Sequence, residues 1–418
     1  MSKRILLLGL NFSPELVGIG KYTGDLADYL VQAGFDLRVV TAPPYYPEWK
    51  IDGRYRWWAY FKESTRNMTL YRCPLWVPRR PTNLNRVPHL ISFALSSLPV
   101  MLAQILWKPD LVICVIPTLF SAPIAWLTAR LCGSKCWLHI QDFELDAANN
   151  LGMLSFFQFF IKLASQWEKW IYFRFDRIST ISNGMVKSLE KKGIFSERII
   201  LFPNWVDTRR IFPISDPQDT LRNDLNISSD KIVVLYSGAM GAKQGLEDLV
   251  YAAHKLKGNP DIIFIFCGNG PFRDELIRST HHLPNVKCLP IQPLENLNSL
   301  LNTADLHIMP QKANVADLVM PSKLLGMLAS GKVIISNAAE NTELGRIIGQ
   351  AGYLVHPQDA SGFMDAILKL AASPGLRRRL GAEGRKYVCE NWAADLVLSR
   401  FLEHLNKLLN EKNGTAYE

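Results

Sequence analysis

Charge is scarce in this sequence and uneven in sign: charged residues fill 20% of 418 positions, and 47 Lys and Arg against 38 Asp and Glu leave a formal net charge of +9. No low-complexity tract is present, and only the last few residues are poor enough in apolar side chains to stay disordered. Seven cysteines, at 73, 114, 132, 136, 267, 288 and 389, are odd in number and stand mostly in apolar runs, so no disulfide framework is expected. Cys132 and Cys136 have no second pair of ligands near them, which argues against zinc; no metal site is expected. No nucleic-acid recognition motif accompanies the positive charge, so a nucleic-acid partner is not expected. No glycine-rich loop ends in Gly-Lys-Ser/Thr, which excludes a P-loop. A complete dinucleotide fingerprint is missing from both halves, because the third glycine after Gly18 and Gly20 falls at Gly24, one residue late; a dehydrogenase is disfavoured.

Long hydrophobic runs are also few. Ile5–Gly9 follows two cations as a signal peptide would, but Asn11, Pro14 and Glu15 end the apolar stretch early, and a first strand fits better. A cytoplasmic chain is therefore expected. Leu90–Trp107 approaches the roughly 20 residues of a bilayer span, yet it holds Pro99, Gln104 and three serines and leads directly into a strand. It reads as a buried crossover helix, with membrane contact the alternative. Ahead of it, Arg54, Arg56, Trp57, Trp58, Tyr60, Phe61, Lys62, Arg79 and Arg80 interleave cations with large aromatics. Such a patch suits anionic lipid headgroups or a lipid-diphosphate acceptor, and equally a solvated loop whose tryptophans pack locally.

What is abundant is a rhythm of short β-branched and aliphatic runs alternating with longer helical patterns, the signature of βαβ units and parallel sheets. Strands are expected at 4–9, 37–42, 69–73, 111–116, 135–140, 177–181 and 199–202, and again at 231–237, 262–267, 286–289, 306–309, 333–336 and 353–355. The length exceeds what one core serves, and a turn-rich stretch from Pro203 through Pro217 separates the two sets. The expected domains are 1–206, joined by a returning helix at about 391–413, and 207–390.

Ligands of doubly wound folds sit at the carboxyl ends of strands, and four such places stand out. After the first strand, Glu15, Gly18, Gly20 and Lys21 precede a helix; the glycines permit close backbone approach and Lys21 adds charge for an anion, although a plain glycine turn is equally consistent. Ser237–Glu247 follows a strand and opens a helix, with Gly238 in a tight turn and Lys243 placed to meet phosphates. Met320–Gly331 starts a helix with Pro321, Ser322 and Lys323; capping accounts for the first two but not for the lysine. Finally, His139 precedes Gln141, Asp142, Glu144 and Asp146 at a strand's end, where a carboxylate or imidazole can orient an acceptor hydroxyl or take its proton, unless Asp142 or Asp146 merely caps a helix.

Read together, Asn-Phe-Ser-Pro-Glu-Leu-Val-Gly-Ile-Gly-Lys-Tyr-Thr-Gly at 11–24, Thr-Ala-Pro-Pro-Tyr-Tyr-Pro at 41–47, His-Ile-Gln-Asp at 139–142, Phe-Pro-Asn-Trp at 202–205, Lys-Gln-Gly-Leu at 243–246 and Pro-Ser-Lys at 321–323 resemble family 4 of the retaining glycosyltransferases. More narrowly they resemble the fucosyltransferase group of colanic-acid synthesis. The resemblance implies a GT-B fold: two Rossmann-like, doubly wound parallel-sheet domains facing a cleft, with a C-terminal helix returning to the first. It further implies a nucleoside-diphosphate sugar, GDP-fucose or else another GDP- or UDP-sugar, held mainly by the second domain, and a polyprenyl-diphosphate-linked oligosaccharide acceptor held by the first. No cofactor or obligatory metal is implied, and the enzyme is expected to work peripherally at the inner face of the plasma membrane.

By the same resemblance Gly18, Gly20 and Lys21 approach the donor, Gly238, Lys243, Ser322 and Lys323 bind its diphosphate, and Gly268, Asn269 and Ile291 line the nucleotide side. Glu15, Tyr45, Tyr46 and Glu144 are the expected acceptor contacts, and Asp142, His139 and Lys243 the expected catalytic groups. The sequence departs from the family where two glutamates and an arginine are usual: Leu318 beside Asp317, Gly326 and Ala239 stand there, and Gln141 replaces a histidine. Ribose binding then falls to Glu343 or Glu340. A catalytically inactive homologue that binds sugar nucleotides, or a sugar-nucleotide epimerase, shares this two-domain plan.

Overall fold

The structure, a computed structural model, describes residues 2–16, 18–65, 67–79, 82–117, 119–143, 158–241, 244–311, 321–357, 359 and 361–411. The chain separates into two compact units, Met1–Pro203 with Leu398–Glu418, and Asn204–Val397. The division falls at 203 rather than 206, and the chain rejoins the first unit at 398 rather than 391. Val206 is tied into the second unit: its N–H donates to the Trp392 carbonyl at 3.0 Å and its own carbonyl accepts from Ala394 at 2.9 Å.

In the first unit, β1 (Arg4–Gly9), β2 (Asp36–Thr41), β3 (Phe61–Thr65), β4 (Met68–Arg72), β5 (Leu111–Ile116), β6 (Lys135–Ile140), β7 (Arg177–Thr180) and β8 (Ile199–Leu201) form one sheet in the order β3-β4-β2-β1-β5-β6-β7-β8. All neighbours are parallel except β3 and β4. Leu-Val-Ile-Cys-Val-Ile of β5 is buried at every position, as a central parallel strand covered on both faces must be. The edge strand β3, Phe-Lys-Glu-Ser-Thr, was not expected: it is largely exposed and carries no apolar run to signal it.

Helices α1 (Ile19–Gln32), α2 (Asn83–Ala103), α3 (Ala122–Cys132), α4 (Gln158–Tyr172) and α5 (Asn183–Lys191) connect the strands. Leu6, Leu8, Val112 and Cys114 pack with Phe93 and Met101 of α2, Ala125 of α3, Tyr172 of α4 and Met185 of α5, so these four helices cover one face. The α2 crossover runs from β4 to β5 as expected, but it is not a buried helix. Only 33% of its most apolar window is inside the protein. Its inner side is fixed by Phe93, Ser97 and Met101, and its outer side is left bare.

The second unit holds β9 (Ile232–Ser237), α6 (Leu246–Lys255), β10 (Ile262–Cys267), α7 (Arg273–Thr280), β11 (Val286–Leu289), α8 (Leu297–Thr303), β12 (Leu306–Met309), α9 (Lys323–Ala329), β13 (Val333–Ser336), α10 (Glu343–Ala351), β14 (Tyr353–Leu354), α11 (Gly362–Ala371) and α12 (Pro374–Asn391). Its sheet is fully parallel, in the order β11-β10-β9-β12-β13-β14. In each sheet the strand order reverses once, between β1 and β5 and between β9 and β12. Loops leaving these strands diverge and open a crevice at the carboxyl ends.

The last helix, α13 (Ala394–Asn410), brings Phe401 against the first unit. The ring stacks on Phe202 with centroids 4.3 Å apart and packs on Trp137 at 4.8 Å, all three side chains being buried. Phe401→Ala is expected to destabilise the first unit by about 3–5 kcal/mol, the usual cost of truncating a core phenylalanine. Urea unfolding would show an early transition that the wild type lacks; an unchanged curve would mean that α13 contributes no packing.

Candidate functional site

At the switch point of the second unit, two loops are locked together by their backbones. Gly238 N–H donates to the Cys267 carbonyl at 3.0 Å, and Met240 N–H to the Asn269 carbonyl at 2.8 Å. Gly268 and Gly270 have φ of 153° and 150°, and a Cβ on either would run into the facing carbonyl of Gly238 or Met240. Only glycine permits this approach. It leaves the amides of the β9 loop close to the sheet's carboxyl edge.

Beneath that loop lies Lys323, the first residue of α9. Its Nζ is buried, has no hydrogen-bond partner among the described residues, and sits 4.4 Å from the centre of the Tyr236 ring. A side chain at Gly238 would meet its Cδ at 3.3 Å. Burial pushes the ammonium pKa down to about 8. Among the described residues this buried cation has a ring face for company and no counter-ion, and an anion entering under the glycine loop would supply one. Ser322 is exposed beside it and makes no side-chain cap on α9. Asn269 and Ile291 are exposed at the ends of β10 and β11, and Glu343 begins α10 after β13, where its charge reaches Tyr387. Lys243 and Glu144 lie outside the described residues, as do Asp146, Asp317 and Leu318.

The first unit corrects several expectations. His139 is buried, with Ser179 Oγ 2.9 Å from Nδ1 and the Gln141 amide 2.9 Å from Nε2. Burial pushes its pKa down to about 3, so it stays neutral and cannot take a proton from an acceptor. It positions its neighbour instead. Asp142, half-buried, follows Gln141, which is bonded to His139, and precedes Phe143, whose ring lies 4.6 Å from the Lys192 ammonium. Lys192 is itself paired at 2.6 Å with the buried Glu168.

Glu15 and Tyr45 do not present side chains to an acceptor. The Glu15 carboxylate is buried and accepts from Asn11 Nδ2 at 2.9 Å and from the Tyr45 and Tyr46 amides at 3.1 Å each. Burial raises its pKa, against the pull of these donors. Tyr45 is buried, with its hydroxyl 3.1 Å from His89 Nε2. Gly20 is small to make room for Glu15, whose Cβ stands 2.7 Å from where a side chain would begin. Lys21 pairs with Asp25 at 2.8 Å on the surface of α1. Gly18, at φ 65°, and the exposed Tyr46 remain together at the surface: Tyr46 Cε1 lies 3.5 Å from a Cβ built on Gly18. Among the described residues, no group of three His, Cys, Asp or Glu is placed to hold a metal ion.

Residues 17–205 match the model of the glycosyl transferase 4-like domain, and residues 217–387 that of the glycosyl transferases group 1. A protein of Escherichia coli (strain K12) named for colanic acid biosynthesis, the glycosyl transferase WcaI, is 42% identical over 348 residues, 82% of this chain and 85% of its own. The chain belongs to family 4 of the GT-B glycosyltransferases. Its fold is shared with sucrose-phosphate synthase from Thermosynechococcus elongatus, at a TM-score of 0.73 and 18% identity over 97% of this chain and 99% of that one. HepE of Anabaena, solved with UDP and glucose, gives a TM-score of 0.66 at 14% identity over 97% and 100%.

In this transferase the position where the family carries its second glutamate faces an apolar neighbour, since a side chain at Gly326 would meet Leu301 Cδ1 at 3.2 Å. Sequence reasoning missed Tyr236, the ring under Lys323; its signal was an aromatic residue closing an otherwise aliphatic strand. It also missed His89 and Asn11, which fix Tyr45 and Glu15 through contacts distant in sequence.

The depressed Lys323 pKa has a signed consequence. Between about pH 8 and 10.5 the unfolded chain binds more protons than the folded one, so stability rises with pH across that window. Below it the full cost of a buried ammonium is present, up to about 3 kcal/mol. Lys323→Met should therefore be more stable than wild type at pH 7, with the gap closing by pH 10, in urea titrations without ligand. A less stable variant at pH 7 would mean that the ammonium already has a partner.

Proposed function

We propose that the transferase moves fucose from GDP-fucose, with retention of anomeric configuration, to a polyprenyl-diphosphate-linked oligosaccharide in the synthesis of a colanic-acid-type exopolysaccharide. The observation that carries the donor half is the uncompensated Lys323 ammonium under the glycine loop of β9. A nucleoside diphosphate offers the missing negative charge. The acceptor half is supported by the similarity to WcaI, which is named as a glycosyl transferase of colanic acid biosynthesis.

In this reading Lys323, with Lys243, stabilises the charge that develops on the departing diphosphate, and no metal is required. Gly268, Asn269 and Ile291 bound the nucleotide, and Glu343 takes the ribose in place of the glutamate that Gly326 lacks. In the first unit Asp142, held by the Gln141–His139 and Phe143–Lys192 contacts, orients the acceptor hydroxyl, and Tyr46 with Gly18 offers it a surface. Gly326 also favours a second reading, a homologue that binds sugar nucleotides without transferring.

Thermal unfolding in the presence of GDP, UDP, ADP and dTDP, with EDTA throughout and NAD as control, separates these readings. One diphosphate at a hundred times its Kd should stabilise by about 2.7 kcal/mol. Lys323→Met should abolish that shift. Stabilisation by none of them, or by NAD alone, would sink the donor assignment, and stabilisation without transfer or hydrolysis would favour the inactive homologue. Asp142→Ala should lower turnover by about a hundredfold or more while leaving the nucleotide shift intact; loss of both would place Asp142 in folding instead.

A further inference from the structure

Near the end of β9, Tyr236 carries a polar group that the core does not require. It is fully buried opposite Phe266 of β10, in a core shared with Val234, Phe264 and Ile308. A leucine or phenylalanine would fill that space without burying a hydroxyl. The two ends of the side chain instead serve separate purposes.

The ring faces the Lys323 ammonium, with Nζ 4.4 Å from its centre. An aromatic face attracts a cation without accepting a conventional hydrogen bond from it. A carboxylate in its place would pair with the lysine, cancel its charge and compete with an incoming anion. The ring keeps the charge in place and leaves it uncancelled.

The hydroxyl donates to the Ala239 carbonyl at 2.5 Å, across the turn that follows the strand. That turn contains Gly238, at φ 137°, where a Cβ would stand 3.3 Å from Lys323 Cδ and 3.8 Å from Nζ. The loop therefore covers the stem of the lysine, and the hydroxyl holds the loop down. On the other side of the same peptide group, the Met240 N–H donates to the Asn269 carbonyl at 2.8 Å. The peptide joining Ala239 to Met240 is thus fastened at both its acceptor and its donor. A lysine released from ring and loop would extend toward water, as long cationic side chains do when nothing confines them.

We infer that Tyr236 is a positioning residue for the transferase: its ring holds the Lys323 ammonium, its hydroxyl holds the loop over it, and together they fix where the cation meets the donor diphosphate. This rests on the reading of Lys323 as the diphosphate's partner and adds the residue that sets its place.

Calorimetric titration of the full chain with GDP, or with whichever of UDP, ADP and dTDP the wild type selects, tests the inference at pH 7 and at pH 9. Tyr236→Leu should bind about tenfold more weakly than wild type at pH 7. The gap should narrow to about twofold at pH 9, where the wild-type ammonium, with its pKa near 8, has itself mostly lost its proton. Tyr236→Phe keeps the ring and the volume and should lose about threefold at pH 7, through the freed loop. Thermal unfolding without nucleotide checks that the variants fold, and Tyr236→Phe decides the matter if Tyr236→Leu does not. Wild-type affinity in the folded variants, or a gap of the same size at both pH values, would make Tyr236 a core residue only and overturn the inference while leaving the donor reading intact. Binding of none of the four diphosphates by the wild type would overturn both, so the two failures are distinguishable.

Discussion

An ammonium group taken out of water without a counter-ion is among the most costly arrangements a protein interior can hold, and among its described residues the second unit holds one. Lys323 is pinned between the Tyr236 ring and the loop carrying Gly238, and that loop is clamped to the next by two backbone hydrogen bonds that only Gly268 and Gly270 allow. Loosening the clamp would let water reach the charge and let the lysine leave. The loops and the cation therefore define each other's positions. The ring offers attraction to a cation but no hydrogen bond, and among the described residues no acceptor takes an ammonium proton.

The first unit solves a different problem: holding a long, irregular loop in register over the sheet. Glu15 does so from one side, with donors from Asn11, Tyr45 and Tyr46, and His89 does so from the other through the Tyr45 hydroxyl and the Trp76 carbonyl. Arg72 adds a third tie, from β4 to the carbonyls of Ser13 and Ala42 and to Glu63 of β3. These buried polar groups are satisfied within the unit, in contrast with Lys323.

The sheets were legible because their central strands are covered on both faces: Arg4–Gly9, Leu111–Ile116 and Lys135–Ile140 are continuous runs whose ends the sequence marks sharply. The glycine loop after β9 and Pro-Ser-Lys at 321–323 were legible for a related reason, since turns at strand ends need particular residue types. What could not be read was the direction of a side chain. His139, Glu15 and Tyr45 occupy the positions expected of ligand contacts but turn inward to partners up to 44 residues away. The bare side of α2 was hidden because an apolar helix has the same composition whether it meets a core or a lipid. β3 was hidden because a strand at a solvated edge needs no hydrophobic pattern.

That edge has a further consequence. A large parallel sheet ends in rows of free N–H and C=O groups that can recruit strands from other molecules, a hazard that grows wherever a protein is crowded onto a surface. Here one border is β3, with Lys62 and Glu63 adjacent on a mostly exposed strand running against the direction of the rest, and the other is β8, three residues long. Neither is a good template for intermolecular pairing. The sheet is finished at both margins, and high local density of the protein need not lead to aggregation.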